Sequence, residues 1–292
     1  LRMEGKATQL PIGTALSASW NPKLVRELYT MEGQELYGNQ VDTLLGPGVN
    51  IHRHPLNGRN FEYYSEDPYL SGTMSVASTG GIKDGGAWGT IKHFALNGQE
   101  SHRFKIDAVC SERAIRQIYL KSFEMAVKAG TVKTLMTAYN PINGHWAASN
   151  YDLCTTILRN EWGYDGIVMT DWWAVANWEG EAQDRRNRAA MVQAQNDIFM
   201  VCPDTERENA LDNIKAEYTI GKITRGQFQR NAKNVLKFAL NSLAMQIKLG
   251  KVTLEEYAPE WDTSYRPEGE LETVAAENGS FVVSDELALK ML

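Results

Sequence analysis

The sequence is poor in cysteine. Cys110, Cys154 and Cys202 are three isolated positions among 292, with no CxxC spacing. That excludes a zinc knuckle and a thioredoxin-like pair, and an odd, sparse count reads as buried thiols rather than a disulfide framework. Localisation is otherwise unmarked; unpaired thiols lean towards the cytoplasm and leave a secreted or periplasmic home open. No stretch approaches the roughly 18 consecutive apolar residues of a membrane-spanning helix, so neither a transmembrane helix nor a membrane partner is expected. Positive charge is not in excess. Thirty Lys plus Arg stand against 36 Asp plus Glu, a formal charge of −6, which argues against a nucleic-acid partner. Phosphate loops of the GxGxxG or GxxxxGK[ST] type are missing. So is a GxSxG elbow, and Ser101-His102 beside Glu100 is therefore no serine-hydrolase signature. The opening Leu1-Arg2-Met3-Glu4 shows neither an initiator Met nor a signal peptide, so the chain is expected to be a piece of something longer.

What remains is an ordinary globular composition, 43% hydrophobic and 23% charged. It is too apolar and too mixed in sign for disorder, and long enough for one large core or two modest domains. Short apolar runs at Leu10–Leu16, Thr43–Ile51, Trp88–Phe94, Val132–Tyr139, Gly166–Asp171 and Asp197–Val201 read as strands, several without polar alternation, as in parallel strands buried on both faces. Helix signals lie between them. Asn21-Pro22 and Asp67-Pro68 are N-cap and first-turn pairs. Glu112–Ala129 stops at Gly130, and a helix opening at Asp152 stops at Gly163. Leu211, Ile214 and Tyr218 form a stripe ending at Gly221, and Thr224 with Gln227 forms a capping box.

Six alternations of strand and helix imply parallel strands with right-handed crossovers. An open doubly wound sheet and a closed (β/α)8 barrel both fit that alternation; the missing phosphate loops weaken nucleotide-binding versions, and the length favours an α/β fold of the (β/α)8 TIM-like barrel type, incomplete at its N-terminus because the first strand is missing. Residues 1–248 are assigned to this barrel domain. Residues 249–292, crowded with glutamates, are assigned to an irregular acidic C-terminal extension or a linker towards another domain, with a short strand within Val274–Val283.

In such barrels chemistry sits on the loops after the strands. Those positions hold Asn50, His52, His54, Arg59, Asn60 and Glu62, then Lys92 and His93, then Tyr139 and Asn140, then Asp171, Trp172 and Trp173. Asp171 ends an apolar strand and precedes two indoles. It is either a helix cap or a carboxylate delivered to the mouth. Arg59 and Lys92 favour the second, because cations keep a carboxylate ionised, and the aromatic side chains suit stacking on sugar rings.

The segments Arg59-Asn60-Phe61-Glu62, Ser65-Glu66-Asp67-Pro68, Lys92-His93-Phe94, Met136-Thr137-Ala138-Tyr139-Asn140 and Val168-Met169-Thr170-Asp171-Trp172, in this order, resemble the barrel domain of glycoside hydrolase family 3, its β-glucosidases in particular. The resemblance spans Leu1 to about Leu243. It implies a retaining, exo-acting hydrolase that releases β-linked glucose from non-reducing ends of oligosaccharides or aryl glucosides, with no metal and no cofactor. Asp171 matches the nucleophile. Arg59, Lys92 and His93 match residues that hold hydroxyls of the terminal sugar. Tyr139 matches the tyrosine beside the nucleophile, Met136 a lining residue of the same pocket, and Trp172 the aromatic of the leaving-group subsite. The family's general acid/base usually lies in a second, α/β sandwich domain that nothing here matches, so a companion domain or chain is the expected partner.

Two family activities and one further class compete. β-N-acetylglucosaminidases follow Lys-His-Phe with Pro-Gly, where this chain has Ala95-Leu96-Asn97-Gly98. A β-xylosidase differs only in pocket detail, and a non-catalytic sugar-binding subunit fits the missing acid/base. Local physics adds an expectation: Lys92 and His93 are neighbours, so a regular strand would point them to opposite faces, and sharing one sugar requires a bulge or an unusual peptide bond. Elsewhere plainer readings hold. His52 and His54 are loop-packing histidines, Arg185, Arg186 and Arg188 line a solvated helix face, and Trp88, Trp146, Trp162 and Trp178 pack the core or rim, with a sugar-subsite border as the alternative for Trp146 and Trp178.

Overall fold

A computed structural model describes residues 8–200 and 212–252 of the chain. Four parallel strands form its centre in the order β1 (Thr43–Leu44), β2 (Trp88–Phe94), β3 (Thr134–Thr137) and β6 (Ile167–Met169). β1 lies beside β2 through Thr43 opposite Trp88, β2 beside β3 through Ile91 opposite Leu135, and β3 beside β6 through Leu135 opposite Val168. A parallel bridge from Met169 to Ile198 extends the sheet by one more position. A small antiparallel pair, β4 (Pro141–Ile142) and β5 (His145–Trp146), sits on the loop after β3. Among the described residues the parallel sheet is open, not a closed barrel. Residues 253–292, which hold most of the acidic extension and the strand expected within Val274–Val283, lie outside the described residues, as do Cys202 and Leu211.

The helices start where the sequence says they should. Asn21 and Asp67 each accept a backbone N–H three residues on and are followed by proline, opening Pro22–Gly38 and Pro68–Asp84. These two helices approach so closely that a Cβ at Gly81 would collide with the Arg26 carbonyl. Thr224 and Gln227 complete the expected capping box at the head of Arg225–Leu240. Gly130 takes a positive φ of 68° after the Lys121–Lys128 helix, a conformation that an L side chain resists.

Several boundaries differ from expectation. Leu10–Leu16 is no strand: Gly13–Ala18 is a short helix laid on the 60–64 loop, where the Tyr64 carbonyl accepts from Ser17. A short apolar run has no periodicity by which to separate the two. Thr43–Ile51 keeps a ladder over two residues, because Pro47 brings no N–H and the chain rejoins β2 only at Gly48. Of the strand expected at Asp197–Val201 the described residues keep the bridge at Ile198, Val201 lying outside them, and Val132–Tyr139 and Gly166–Asp171 shorten to the bounds of β3 and β6. Within Glu112–Ala129 the middle turn, Ile115–Tyr119, is a π-helix, as is Asp152–Glu161; the cap of the latter segment is Asn150, which accepts from Leu153, rather than Asp152. Arg185, Arg186 and Arg188 do not share a helix face. Arg186 pairs with Asp184 in a turn, Arg188 opens a helix, and the Arg185 guanidinium lies 5.8 Å from the Phe104 ring.

The core under the sheet is one cluster that includes Val25, Leu28, Met74, Ile82, Ile91, Phe94, Phe123, Leu135 and Val168. Its far edge is closed by a buried ion pair, Arg159 Nη2 to Asp197 Oδ2 at 2.6 Å. Asp197 also accepts from the Val168 N–H and from Asn234, while Arg159 donates to the Gly166 and Gln195 carbonyls. Burial still pushes the Asp197 carboxyl above its usual range in spite of Arg159, as expected where desolvation rivals attraction. Removing one partner leaves the other charge buried and unpaired. Asp197→Ala is therefore expected to lower unfolding free energy by about 3–5 kcal/mol, measured by urea denaturation.

Candidate active site

The expected irregularity of β2 is present. Ladder register shifts between Ile91 and Phe94, and the Lys92–His93 peptide is cis. Asn50 takes over the pairing that the ladder drops: its amide donates to the His93 carbonyl at 2.9 Å and its oxygen accepts the His93 N–H at 2.7 Å. Both His93 backbone groups are thereby satisfied away from a regular ladder. Lys92 Nζ is 3.2 Å from Glu62 Oε1, and His93 Nε2 is 3.7 Å from Asp171 Oδ2.

Asp171 follows β6 and is 8% exposed. No helix begins behind it; Trp172 and Trp173 form a turn, so the carboxylate is not a helix cap. Its Oδ1 accepts from the Trp172 N–H at 2.7 Å and from the Tyr139 hydroxyl at 2.8 Å. Burial raises the Asp171 carboxyl above its usual range, against the Tyr139 and Trp172 hydrogen bonds and the positive charges of Arg103 and Arg59. The same environment drives the Tyr139 phenol up, first by burial and then by the Asp171 charge. His93 is driven the other way, well below its usual range, by burial and then by Arg59, Lys92 and Arg103. Both causes favour the uncharged imidazole.

Arg59 and Lys92 share one carboxylate. Glu62 receives Arg59 Nε at 2.6 Å and Nη2 at 2.8 Å. Burial works to raise Glu62, yet its two cations hold it below the ordinary range. Met136 lies in a small cluster with Ile167 and Met169, and Trp172 packs against that cluster. Asp171, His93, Tyr139, Arg59 and Lys92 are thus gathered at the carboxyl ends of β2, β3 and β6, whereas Met136 and Trp172 belong to the apolar cluster of Ile167 and Met169.

Sequence reasoning passed over four residues that the fold adds. Arg103 stands with its guanidinium 4.5 Å from the Tyr139 ring, and Phe104 stacks on the same ring at 4.3 Å. Tyr63 reaches His93, and Asn97 reaches Tyr63. Asn97, Arg103 and Phe104 lie on the loop after β2, so their position after a strand was the available signal. Trp146 borders this group, its indole donating to the Phe104 carbonyl. His54 packs its loop by accepting the Leu56 N–H.

These electrostatics carry a directional outcome. Because Tyr139 donates to the charged form of Asp171, Tyr139→Phe is expected to raise the Asp171 titration further above the ordinary carboxylate range. Carbon-13 spectra of Asp-labelled protein across a pH series measure that shift; a downward or absent shift contradicts it.

The family model described as the glycosyl hydrolase family 3 N terminal domain matches residues 1–238. A β-glucosidase of Ruminococcus albus is 53% identical over 246 residues, covering 84% of this chain and 26% of that enzyme. An exo-α-(1→6)-L-arabinopyranosidase of Bifidobacterium longum is 48% identical over 230 residues, covering 79% and 28%. Among solved structures, a β-glucosidase from Paenibacillus barengoltzii superposes with a TM-score of 0.79 at 60% identity, covering 82% of this chain and 26% of that one. β-Glucosidase 3B from Thermotoga neapolitana in complex with glucose gives 0.74 at 36% identity, covering 89% and 36%. The chain thus spans about a quarter to a third of the length of these relatives. With its parallel strands, crossover helices and matched span, the chain belongs to glycoside hydrolase family 3 and carries the family's TIM-barrel-like N-terminal domain.

Proposed function

We propose that this chain is the nucleophile-bearing part of a retaining β-glucosidase, acting on non-reducing ends of oligosaccharides or aryl glucosides. The observation that carries the reading is the setting of Asp171. One largely buried carboxylate lies at a strand end, held by two donors on a single oxygen, with its second oxygen towards a neutral histidine. In the proposed reaction Asp171 attacks the anomeric carbon while an external carboxylic acid protonates the leaving oxygen. Water then hydrolyses the glucosyl ester as that acid acts as base. Arg59, Lys92 and His93 hold ring hydroxyls, Tyr139 holds Asp171, Met136 lines the pocket, and Trp172 stacks beyond the scissile bond. Lys92 and Arg59 are pre-oriented for this by Glu62, so little ordering is left for substrate binding.

The acid/base is assigned to a part of the protein beyond this chain. A retaining pair needs two carboxyls about 5 Å apart, one of them protonated. The carboxylates nearest the cations here are engaged, Glu62 by Arg59 and Lys92, and Glu100 by Arg103 at 2.7 Å. A barrel unit over residues 1–248 and an extension over 249–292 leading to such a domain belong to the same proposal, which the relatives' greater length supports.

Incubating the assembled enzyme with a fluorinated slow β-glucoside is expected to leave a glucosyl adduct on the Asp171 peptide, read by mass spectrometry. Asp171→Asn is expected to abolish both the adduct and turnover of an aryl β-glucoside. An adduct on another residue, or a variant with wild-type turnover, rejects the nucleophile assignment.

A further inference from the structure

The side chains around Asp171 close into a ring of contacts. From Asp171 Oδ2 it passes to His93 Nε2, and from His93 Nδ1 to the Tyr63 hydroxyl at 3.2 Å. Asn97 Nδ2 lies 2.9 Å from that hydroxyl and 2.9 Å from Glu100 Oε1. Glu100 Oε2 accepts from Arg103, whose guanidinium covers the Tyr139 ring, and Tyr139 donates back to Asp171 Oδ1. Tyr63, His93 and Asn97 are all essentially buried, at 0%, 2% and 2% exposure.

Donor and acceptor rules propagate around this ring in one direction. Glu100, ion-paired with Arg103, is a carboxylate and can only accept, so the Asn97 amide must present its NH2 group there. The same nitrogen faces Tyr63, which makes the phenol oxygen an acceptor from Asn97. The phenol hydrogen then has His93 Nδ1 as its remaining partner, and a buried hydroxyl hydrogen left without an acceptor is penalised. Nδ1 accepting means that the neutral imidazole carries its proton on Nε2, the nitrogen that faces Asp171. From this geometry we infer that Tyr63 is a positioning residue which, oriented by Asn97 and Glu100, locks His93 in the Nε2–H tautomer so that it presents a hydrogen-bond donor to the nucleophile's side of the pocket.

The lock has a purpose that rests on the glucosidase reading: an Nε2 without its proton would set a lone pair against the carboxylate, and could not donate to a sugar hydroxyl oxygen. Burial and three nearby cations disfavour a second proton on His93, and an Nδ1 that accepts from Tyr63 leaves the tautomer as what the ring controls. Tyr63 touches neither Asp171 nor any sugar in this scheme. It acts through His93 alone, with its ring edge packed towards the imidazole at a centroid distance of 6.3 Å.

Nitrogen-15 spectra of the full chain labelled at histidine test the inference without needing turnover, with His93→Gln used to assign the resonance. The expected wild-type result is one neutral His93 with its proton on Nε2. Tyr63→Phe keeps the ring and removes the hydroxyl, and is expected to convert that signal to a mixture containing the Nδ1–H form. Asn97→Asp supplies an acceptor for the phenol hydrogen and is expected to shift the population further towards Nδ1–H. A wild-type His93 that is protonated on Nδ1, or a pure Nε2–H signal surviving in Tyr63→Phe, overturns the inference. Because Asp171 labelling plays no part in this readout, the tautomer lock and the nucleophile assignment fail separately.

Discussion

One largely dehydrated carboxylate sets the terms for everything around it. Taking Asp171 out of water favours its neutral form, and the surrounding structure works against that cost. Two hydrogen bonds converge on Oδ1, one from the adjacent backbone and one from a tyrosine on the neighbouring strand's loop. The charges that act on it most strongly are positive, from Arg103 and Arg59. Three strand ends must lie side by side for these groups to meet, and parallel strands with crossover helices bring all their carboxyl ends to one edge.

The neighbouring acids are paired with cations. Glu62 gathers Arg59 and Lys92, and Glu100 holds Arg103 over Tyr139. Each pairing removes rotamer freedom from a long side chain before substrate arrives. Burial first, and then the charges of Arg59, Lys92 and Arg103, push the His93 imidazole towards its uncharged form.

Much of the scaffold was legible in short-range signals. Asn21-Pro22, Asp67-Pro68 and Thr224-Gln227 mark helix starts because the orphan N–H groups there demand those side chains. The Gly166–Asp171 run showed where a carboxylate leaves the sheet. Strand ends were less legible: β3 and β6 proved shorter than their apolar runs, since burial continues past the last ladder bond. Leu10–Leu16 became a helix because its fate depends on the surface it meets, not on its own pattern. In the site, Asp171, His93, Tyr139, Arg59 and Lys92 converge, whereas Tyr63, Asn97 and Arg103 were invisible as a chain of contacts because each polar side chain has many partners open to it until the loops are placed.

The sequence by itself determined the alternation of strand and helix, the main helix starts, and the opposite facing that Lys92 and His93 would have in a regular strand. Those features follow from periodicity, capping and the alternation of faces, which are properties of neighbouring residues. Only the tertiary structure decided that Asn50 would satisfy the His93 backbone, that Arg103 would cover Tyr139, and which His93 nitrogen would face Asp171. Hydrogen-bond partners tens of residues apart are chosen by the folded loops, and the direction of a proton along a ring of contacts exists only once that ring has closed.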